Sequence, residues 1–202
     1  MTLTTTAPDP IIVLQQTLQA VAGVDAEHFA LSQDHWELKA FKKNEYYNEY
    51  RQVCKHLGFI LQGVFRTYYI DDKTGEAKNV FFFSQHQVVV SFQSFIHQAP
   101  CNYFTQSMTE SQVLYIHINH LQALYKQSHQ WERLGRIIAE MAFSISMQRT
   151  EGFLFRSPEE RYLQLVNDHP DIFNNVPLYH ISSYLGIQGP SLSRIRKRIS
   201  GR

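Results

Sequence analysis

The last quarter of the chain has the pattern of two short helices joined by a tight turn, and this pattern constrains the fold more than any other feature. Gly186 falls at the turn, where a residue with a positive φ ends a helix and reverses the chain. Pro177 and Pro190 suit the starts of the two helices. Apolar side chains recur at i, i+3 and i+7 in both segments: Leu178, Ile181, Leu185, and then Leu192, Ile195, Ile199. The sequence predicts a helix-turn-helix.

The second of these helices is basic. Residues 189–202 contain five Lys and Arg residues and no acidic one, although the whole chain carries a net charge of only +1. Basic charge gathered at one end is typical of phosphate binding, and a helix of this kind fits the major groove of DNA. The alternative is a solvated terminal helix whose cations suit the helix dipole.

The region before these helices alternates between strands and turns. Segments 58–70, 80–83, 87–90 and 112–118 are rich in aromatic and β-branched residues, and residues 71–75 have the composition of a hairpin loop. Short strands separated by turns predict a small barrel or jelly roll. Residues 11–40 have a helical period, which Gly23 interrupts.

A long helix is predicted from an N-cap at Ser128 to about Thr150. Its heptad seam consists of Trp131, Leu134, Ile138, Met141 and Ile145. Such a seam indicates the interface of a homodimer, with small Gly135, Ala139 and Ala142 nearby, while the alternative is packing on the chain's own barrel. Ser157 and Glu160 then form a capping box for the next helix. We therefore expect an α+β chain with a barrel over 1–127, a dimerisation helix over 128–152 and a helix-turn-helix unit over 153–202.

Several function classes are not supported by the sequence. Two cysteines are too few for an iron–sulfur cluster or a four-cysteine zinc site, and we expect no metal and no cofactor. The spacing of His117 and His120 is wrong for a pair on one face of a strand, which disfavours a cupin-type metal enzyme. No nucleotide-binding or hydrolase motif occurs, so we expect no enzyme. Without a signal peptide or a long apolar run, the expected location is the cytoplasm and no membrane contact is expected.

The order of barrel, long helix and helix-turn-helix resembles the Crp/Fnr family of bacterial transcription regulators, and most of all a branch common in Bacteroidetes-type bacteria. The resemblance covers nearly the whole chain. It rests on the strings at residues 41–44, 59–66, 159–162, 181–187 and 192–196. It implies a cyclic-nucleotide-binding-type jelly roll, a dimerisation helix and a winged helix-turn-helix. Because the chain ends at Arg202, we expect the wing to be short or absent.

The resemblance also implies which residues contact DNA. The DNA-binding set is Gly189, Pro190, Ser191, Ser193, Arg194, Lys197 and Arg198. Arg194 is the expected base reader, because a guanidinium bonds bidentately to guanine O6 and N7. Lys197 and Arg198 are expected on phosphate, which positions the protein without specifying sequence. Ser182 stands where the family usually has Ala, and we expect little effect from this small change.

The family's cyclic-nucleotide cassette is altered in this chain. Residues 88–104 contain no Arg, Lys, Glu or Gly, so a buried phosphate would lack its counter-charge. We therefore expect no tight binding of cAMP or cGMP. A different small effector and a filled core without ligand remain open. The candidate effector pocket consists of Ser91, Phe92, Phe95, Cys101, Asn102 and Tyr103.

Two functions follow as hypotheses. The first is a homodimeric, sequence-specific DNA-binding regulator, with double-stranded DNA and a second copy as partners. RNA polymerase and an unidentified small effector stay open as further partners. The second, motivated by the short tail, is a ligand-sensing or partner-binding barrel with little specific DNA binding.

Overall fold

The protein, described here by a computed structural model for residues 8–200, consists of two antiparallel sheets, a long helix and a C-terminal group of short helices. The strands are β1 (Trp36–Phe41), β2 (Tyr46–Asn48), β3 (His56–Gln62), β4 (Phe65–Ile70), β5 (Ala77–Phe83), β6 (Val88–Val89), β7 (Phe104–Ser107) and β8 (Ser111–His117). The helices are α1 (Pro10–Ala22), α2 (Ala26–Ala30), α3 (Phe92–His97), α4 (Ile118–Gln127), α5 (His129–Phe155), α6 (Pro158–Asp168), α7 (Pro170–Asn175), α8 (Leu178–Leu185) and α9 (Gly189–Ser200).

The two sheets have four strands each, in the orders β1-β8-β3-β6 and β2-β7-β4-β5. A core of Phe41, Ile60, Phe65, Val89 and Val113 fills the barrel. The predicted hairpin loop after β4 is confirmed, because Asp71 accepts from the amides of Lys73 and Thr74. The helical prediction for residues 11–40 is wrong at its end. Trp36–Phe41 is a strand, and its pairing with β8 overrides the local periodicity.

Helix α5 begins where the sequence predicts and ends later. The Ser128 hydroxyl accepts from the amide of Trp131, and the helix continues to Phe155. Its first half packs in a core with α1, α4 and the barrel, where Trp131 and Leu134 are 0% and 3% exposed. This corrects the predicted dimer interface at Trp131 and Leu134, which pack on the chain's own core as the alternative had it. Ile138 is half-buried, and Met141 and Ile145 are exposed. Gly135 faces Tyr125 of the same chain, which would lie 2.7 Å from an added Cβ.

The C-terminal helices have the predicted local structure. Ser157 and Glu160 form the capping box of α6, with each side chain accepting from the other's amide. Gly186 ends α8 with φ 68°, and α9 begins three residues later. A hydrophobic cluster joins Ile181 and Leu192 to Phe82 and Met108 of the barrel, so the helix-turn-helix packs directly on the sheets. Any wing strand at Arg202 lies outside the described residues.

Across residues 8–200, no helix combines the length and the apolar character needed to cross a membrane.

Candidate nucleic-acid interface

Helix α9 turns its apolar side inward and its polar side to solvent. Leu192 and Ile195 are buried, and Ile187 is half-buried in the preceding turn. The predicted contact residues Gly189, Pro190, Ser193, Arg194 and Lys197 are exposed, and Ser191 is half-buried. Within residues 8–200, no carboxylate pairs with Arg194 or Lys197, and the first turn of α9 has no acidic residue. The open N-terminal turn and the two cations form a surface suited to a phosphate-bearing duplex.

Arg198 is placed differently from the other predicted contacts. Its guanidinium forms an ion pair with Glu159 of α6, although the side chain is still 57% exposed. An exposed pair of this kind contributes little stability, but it orients the guanidinium toward α6. Arg198 therefore has less freedom to reach a ligand than Arg194 or Lys197.

The turn before α9 is fixed by two neighbouring side chains. Arg161 donates from Nε and Nη2 to the carbonyl oxygen of Leu185, at 3.2 and 3.1 Å. The ring of Phe153 lies 2.7 Å from the position of a Cβ at Gly186, where φ is also positive. A side chain at Gly186 would therefore be strained and would clash, which explains the glycine.

A buried polar network connects α8 to the barrel. Arg66 of β4 is 8% exposed and donates from Nη1 to Nδ1 of His180 at 2.7 Å. Its Nε and Nη2 both donate to Oε1 of Gln106, at 3.1 and 2.7 Å. Asn79 of β5 donates from Nδ2 to the carbonyl oxygen of His180, at 3.2 Å. We call Arg66, Asn79, Gln106 and His180 the polar latch.

The polar latch requires neutral His180. Arginine has only donors, so Nδ1 of His180 is an acceptor and the ring proton lies on Nε2. Burial, and then the adjacent Arg66 charge, lower the pKa of His180 to about 4. Burial also lowers the pKa of Arg66, which stacks on Tyr68 with its Cζ 4.0 Å from the ring centroid. Among residues 8–200, no carboxylate pairs with Arg66, so its charge is satisfied by neutral acceptors.

Arg149 ties the end of α5 into the same interface. Its Nη2 donates to the carbonyl oxygens of Asn79 and Tyr184, at 3.2 and 3.1 Å. Its guanidinium also stacks on the ring of Tyr184, with Cζ 4.0 Å from the centroid. One side chain of the long helix therefore contacts both the barrel strand β5 and helix α8.

The candidate effector residues do not converge on one site. Ser91 is buried and its hydroxyl contacts that of Thr105 at 3.2 Å, which in turn contacts Thr67 at 3.0 Å. Phe95 belongs to the core under α5, and Phe92 is half-buried. Cys101 is buried, whereas Asn102 and Tyr103 are exposed. In the cassette segment (residues 88–104), the buried hydroxyl of Ser91 thus bonds to neutral hydroxyl groups of the adjacent strands β7 and β4.

Three histidines, His35, His117 and His120, lie close together without forming a metal site in the described part of the chain. His117 and His120 have ring centroids 6.3 Å apart, and His35 stacks on His120 at 4.1 Å. No group of three His, Cys, Asp or Glu side chains among residues 8–200 is arranged to hold a metal ion.

Sequence reasoning missed two features of this region. Arg66 and His180 are 114 positions apart, so no local pattern links them. The available signal was a lone arginine within the apolar strand β4. Phe143, Met147 and Leu154 were also missed, because they lie outside the heptad seam on a different face of α5.

Comparison with known proteins gives structural matches only. No protein-family model and no curated protein matches the chain. The structure of FixK2 from Bradyrhizobium japonicum aligns at a TM-score of 0.72 and 11% identity, over 82% of this chain and 85% of that one. A Crp/Fnr-family transcriptional regulator from Eubacterium rectale gives 0.67 and 15%, over 87% and 83%. The Thermus thermophilus catabolite activator protein gives 0.57 and 10%, over 92% and 87%. The Bacteroidetes-type branch stays a prediction. The chain therefore has the fold of the Crp/Fnr-family regulators, as the sequence resemblance predicts.

Proposed function

We propose that this protein is a homodimeric transcription regulator that binds specific DNA sequences through α9. The observation that carries the proposal is the exposed polar side of α9, with Arg194 and Lys197 open to solvent while the apolar side is anchored in the chain's own core. The fold of the Crp/Fnr regulators supports it. The functional division is then a barrel over 1–127, a dimerisation helix over 128–152 and a DNA-binding unit over 153–202.

Within this proposal the side chains of α9 have different roles. Arg194 reads a base pair, because its guanidinium is free to bond in a bidentate manner to guanine. Gly189, Pro190, Ser191 and Ser193 line the approach to the groove at the start of the helix. Lys197 contacts phosphate and contributes affinity without specificity. Arg198, which pairs with Glu159, adds a weaker phosphate contact.

The exposed half of α5 supports a second copy of this chain as a partner. Phe143, Met147 and Leu154 share one face, and Phe143 and Leu154 are 70% and 69% exposed. Phe143 lies nine residues, or about two and a half turns, beyond buried Leu134, so the two point to opposite sides of the helix. Exposed apolar patches of this kind mark interaction sites. We place the dimer interface on this face. Of the predicted seam, Met141 and Ile145 are exposed on the opposite side of α5, and Ile138 is half-buried there.

The proposed regulator does not respond to cAMP. A cyclic nucleotide would bring a phosphate anion to a segment where the buried hydroxyl of Ser91 is linked to those of Thr105 and Thr67 on neighbouring strands. These hydroxyls already bond to one another, and no cation from the segment is available to offset the desolvation of the phosphate.

Selection of bound duplexes from a random DNA pool tests this function. We expect recovery of a roughly palindromic sequence with half-sites about one helical turn apart. Binding to it should weaken steeply with salt, because bound cations release counterions from DNA. Absence of binding, or salt-sensitive binding with no common motif, would contradict the proposal and favour a barrel that acts on other partners.

A further inference from the structure

Beside its hydrophobic cluster, the contact between α8 and the barrel contains a buried network of specific polar contacts. Arg66 contributes a charge that is 8% exposed, and His180 an acceptor that is 6% exposed. A buried cation is costly unless every donor finds a partner. Arg66 finds its partners on two separate parts of the chain, Gln106 of the barrel and His180 of the helix-turn-helix. Separating the helix-turn-helix from the barrel would leave the buried guanidinium of Arg66 without its acceptor on His180.

We propose that the polar latch holds the helix-turn-helix on its own barrel in the orientation that presents α9 to DNA, and that the latch closes only when His180 is neutral. The predicted effect of the latch on DNA binding rests on the proposed function. The latch itself is a contact within the chain and does not. Arg66 and His180 are positioning residues in it, because neither is placed to contact DNA.

The orientation of α8 is set from two directions. Arg66 and Asn79 bind the first turn of α8 through His180, while Ser183 accepts from the amide of Asn79 at 3.1 Å and donates to the carbonyl oxygen of Ala77 at 3.1 Å. Arg149 binds the end of α8 through the carbonyl oxygen of Tyr184. A helix bound at both ends cannot rotate on the sheet without breaking these bonds. Because α9 follows after a fixed turn, its direction is set at the same time.

The docked arrangement leaves the DNA-facing side of α9 uncovered. Arg194 and Lys197 are exposed while the latch is closed. The latch therefore fits a preorganised binding state, in which the barrel supports α9 and the cost of orienting it is met during folding.

Protonation of His180 would open the latch. A proton on Nδ1 removes the acceptor for Arg66 and places two cations side by side. The charged and titratable groups around this pair are Tyr46 of β2, Tyr68 of β4, Tyr179 of α8 and, beyond Asn79, Arg149 of α5. None of these is a carboxylate that could stabilise the added proton. The low pKa of His180 agrees with this geometry.

Three variants test the latch. His180→Leu removes the acceptor, whereas His180→Asn keeps an oxygen near the position of Nδ1. Arg66→Met removes the donor, and Lys78→Met is its control, since Lys78 lies on the adjacent strand and pairs only with exposed Glu76 in the described chain. If Arg66→Met fails to fold, the comparison of His180→Leu with His180→Asn still tests the latch, because these two variants leave the barrel sequence intact.

The first measurement is hydrogen exchange of the full-length protein without DNA. We expect His180→Leu and Arg66→Met to speed exchange in α8 and at Asn79 by about tenfold or more, with α1 unchanged. His180→Asn and Lys78→Met should stay within about twofold of the original protein. In the original protein, nitrogen chemical shifts should show the Nε2–H tautomer of His180. Unchanged exchange in α8, or a protonated His180 at neutral pH, would overturn the latch.

The second measurement is affinity for the selected operator at several salt concentrations. We expect His180→Leu to weaken binding by about tenfold while the slope of log affinity against log salt stays the same, because no phosphate contact is lost. A slope reduced by about 1 in Arg66→Met would show that Arg66 touches phosphate and would contradict its positioning role. If the original protein selects no operator, the proposed function fails, but the exchange and tautomer results still decide the latch.

Discussion

The cassette segment of the barrel and the C-terminal half of the chain differ in whether their polar and apolar groups are buried or exposed. At the cassette segment, the buried hydroxyl of Ser91 bonds to that of Thr105 in β7, which in turn bonds to that of Thr67 in β4. In the C-terminal half, cations on α9 and aromatic and aliphatic side chains on α5 are left exposed. The buried hydroxyls of the first region are already bonded to one another, while the second region exposes both cations and apolar side chains. Partners are therefore expected at α9 and α5 rather than inside the barrel.

The largest expected effect comes from breaking the apolar face of α5. Phe143→Glu places a charge at the centre of the proposed dimer interface, so the protein should become monomeric in sedimentation experiments. Loss of the second half-site contact should then weaken operator binding by about a hundredfold or more. Gln148→Glu adds the same charge on a different side of the helix and should leave the dimer intact. If the Gln148→Glu protein is monomeric and the Phe143→Glu protein is dimeric, the interface lies instead on the side of α5 that carries the predicted heptad seam.

The next effect concerns the exposed cations of α9. Arg194→Ala should cost about 1–3 kcal/mol of operator binding and relax the preference at one base pair of each half-site. Lys197→Ala, the matched control, should weaken binding to all sequences equally and lower the salt slope by about 1. Binding to operator variants measures both. Equal loss on every sequence for Arg194→Ala would show that it contacts phosphate only.

A smaller effect is expected from pH at the junction between the two regions. The pKa of His180 is lowered from 6.5 to about 4 in the folded chain, so the unfolded chain binds more protons between these values. The contribution of His180 to the free energy of unfolding is complete above pH 6.5 and is lost as the pH falls toward 4. The loss is about 1.4 kcal/mol per pH unit at most.

Denaturant unfolding between pH 7 and 5 measures this loss, and His180→Asn is its control. The pKa of His56 is lowered too, by burial and by His117, and it titrates in both proteins. The difference between the two proteins therefore isolates His180. Identical pH dependence in both would show that His180 does not carry the effect.

The smallest expected effect is that of cAMP, which should leave operator affinity unchanged to within about twofold, because the cassette segment supplies no counter-charge. Calorimetry should detect no binding. A micromolar or tighter affinity for cAMP would contradict the expectation that partners bind at α9 and α5 rather than inside the barrel.

Local signals made much of the fold predictable from the sequence. The capping box of Ser157 and Glu160 and the left-handed turn at Gly186 depend on residues close together in the chain, and both are found as predicted. The strand Trp36–Phe41 was not predictable in this way, because its pairing with β8 comes from a segment far along the chain.

The candidate sites were predictable to different degrees. The exposed side of α9 follows from helical periodicity, so its polar residues were found from the sequence. The heptad of α5 identified a buried face only at Trp131 and Leu134, which pack in the chain's own core, while Met141 and Ile145 are exposed. The contact between Arg66 and His180 depends on how two separate parts of the chain dock, which no local pattern encodes.

The most direct test of the account is a double-mutant cycle between Arg194 and single guanines of the selected operator. Each guanine is replaced in turn by 7-deazaguanine, which lacks the N7 acceptor, and affinity is measured for the original protein and for Arg194→Ala. We predict that one guanine in each half-site shows a coupling of about 1 kcal/mol or more, because Arg194 bonds to its N7. Additive losses at every guanine would contradict the claim that the exposed side of α9 reads base edges.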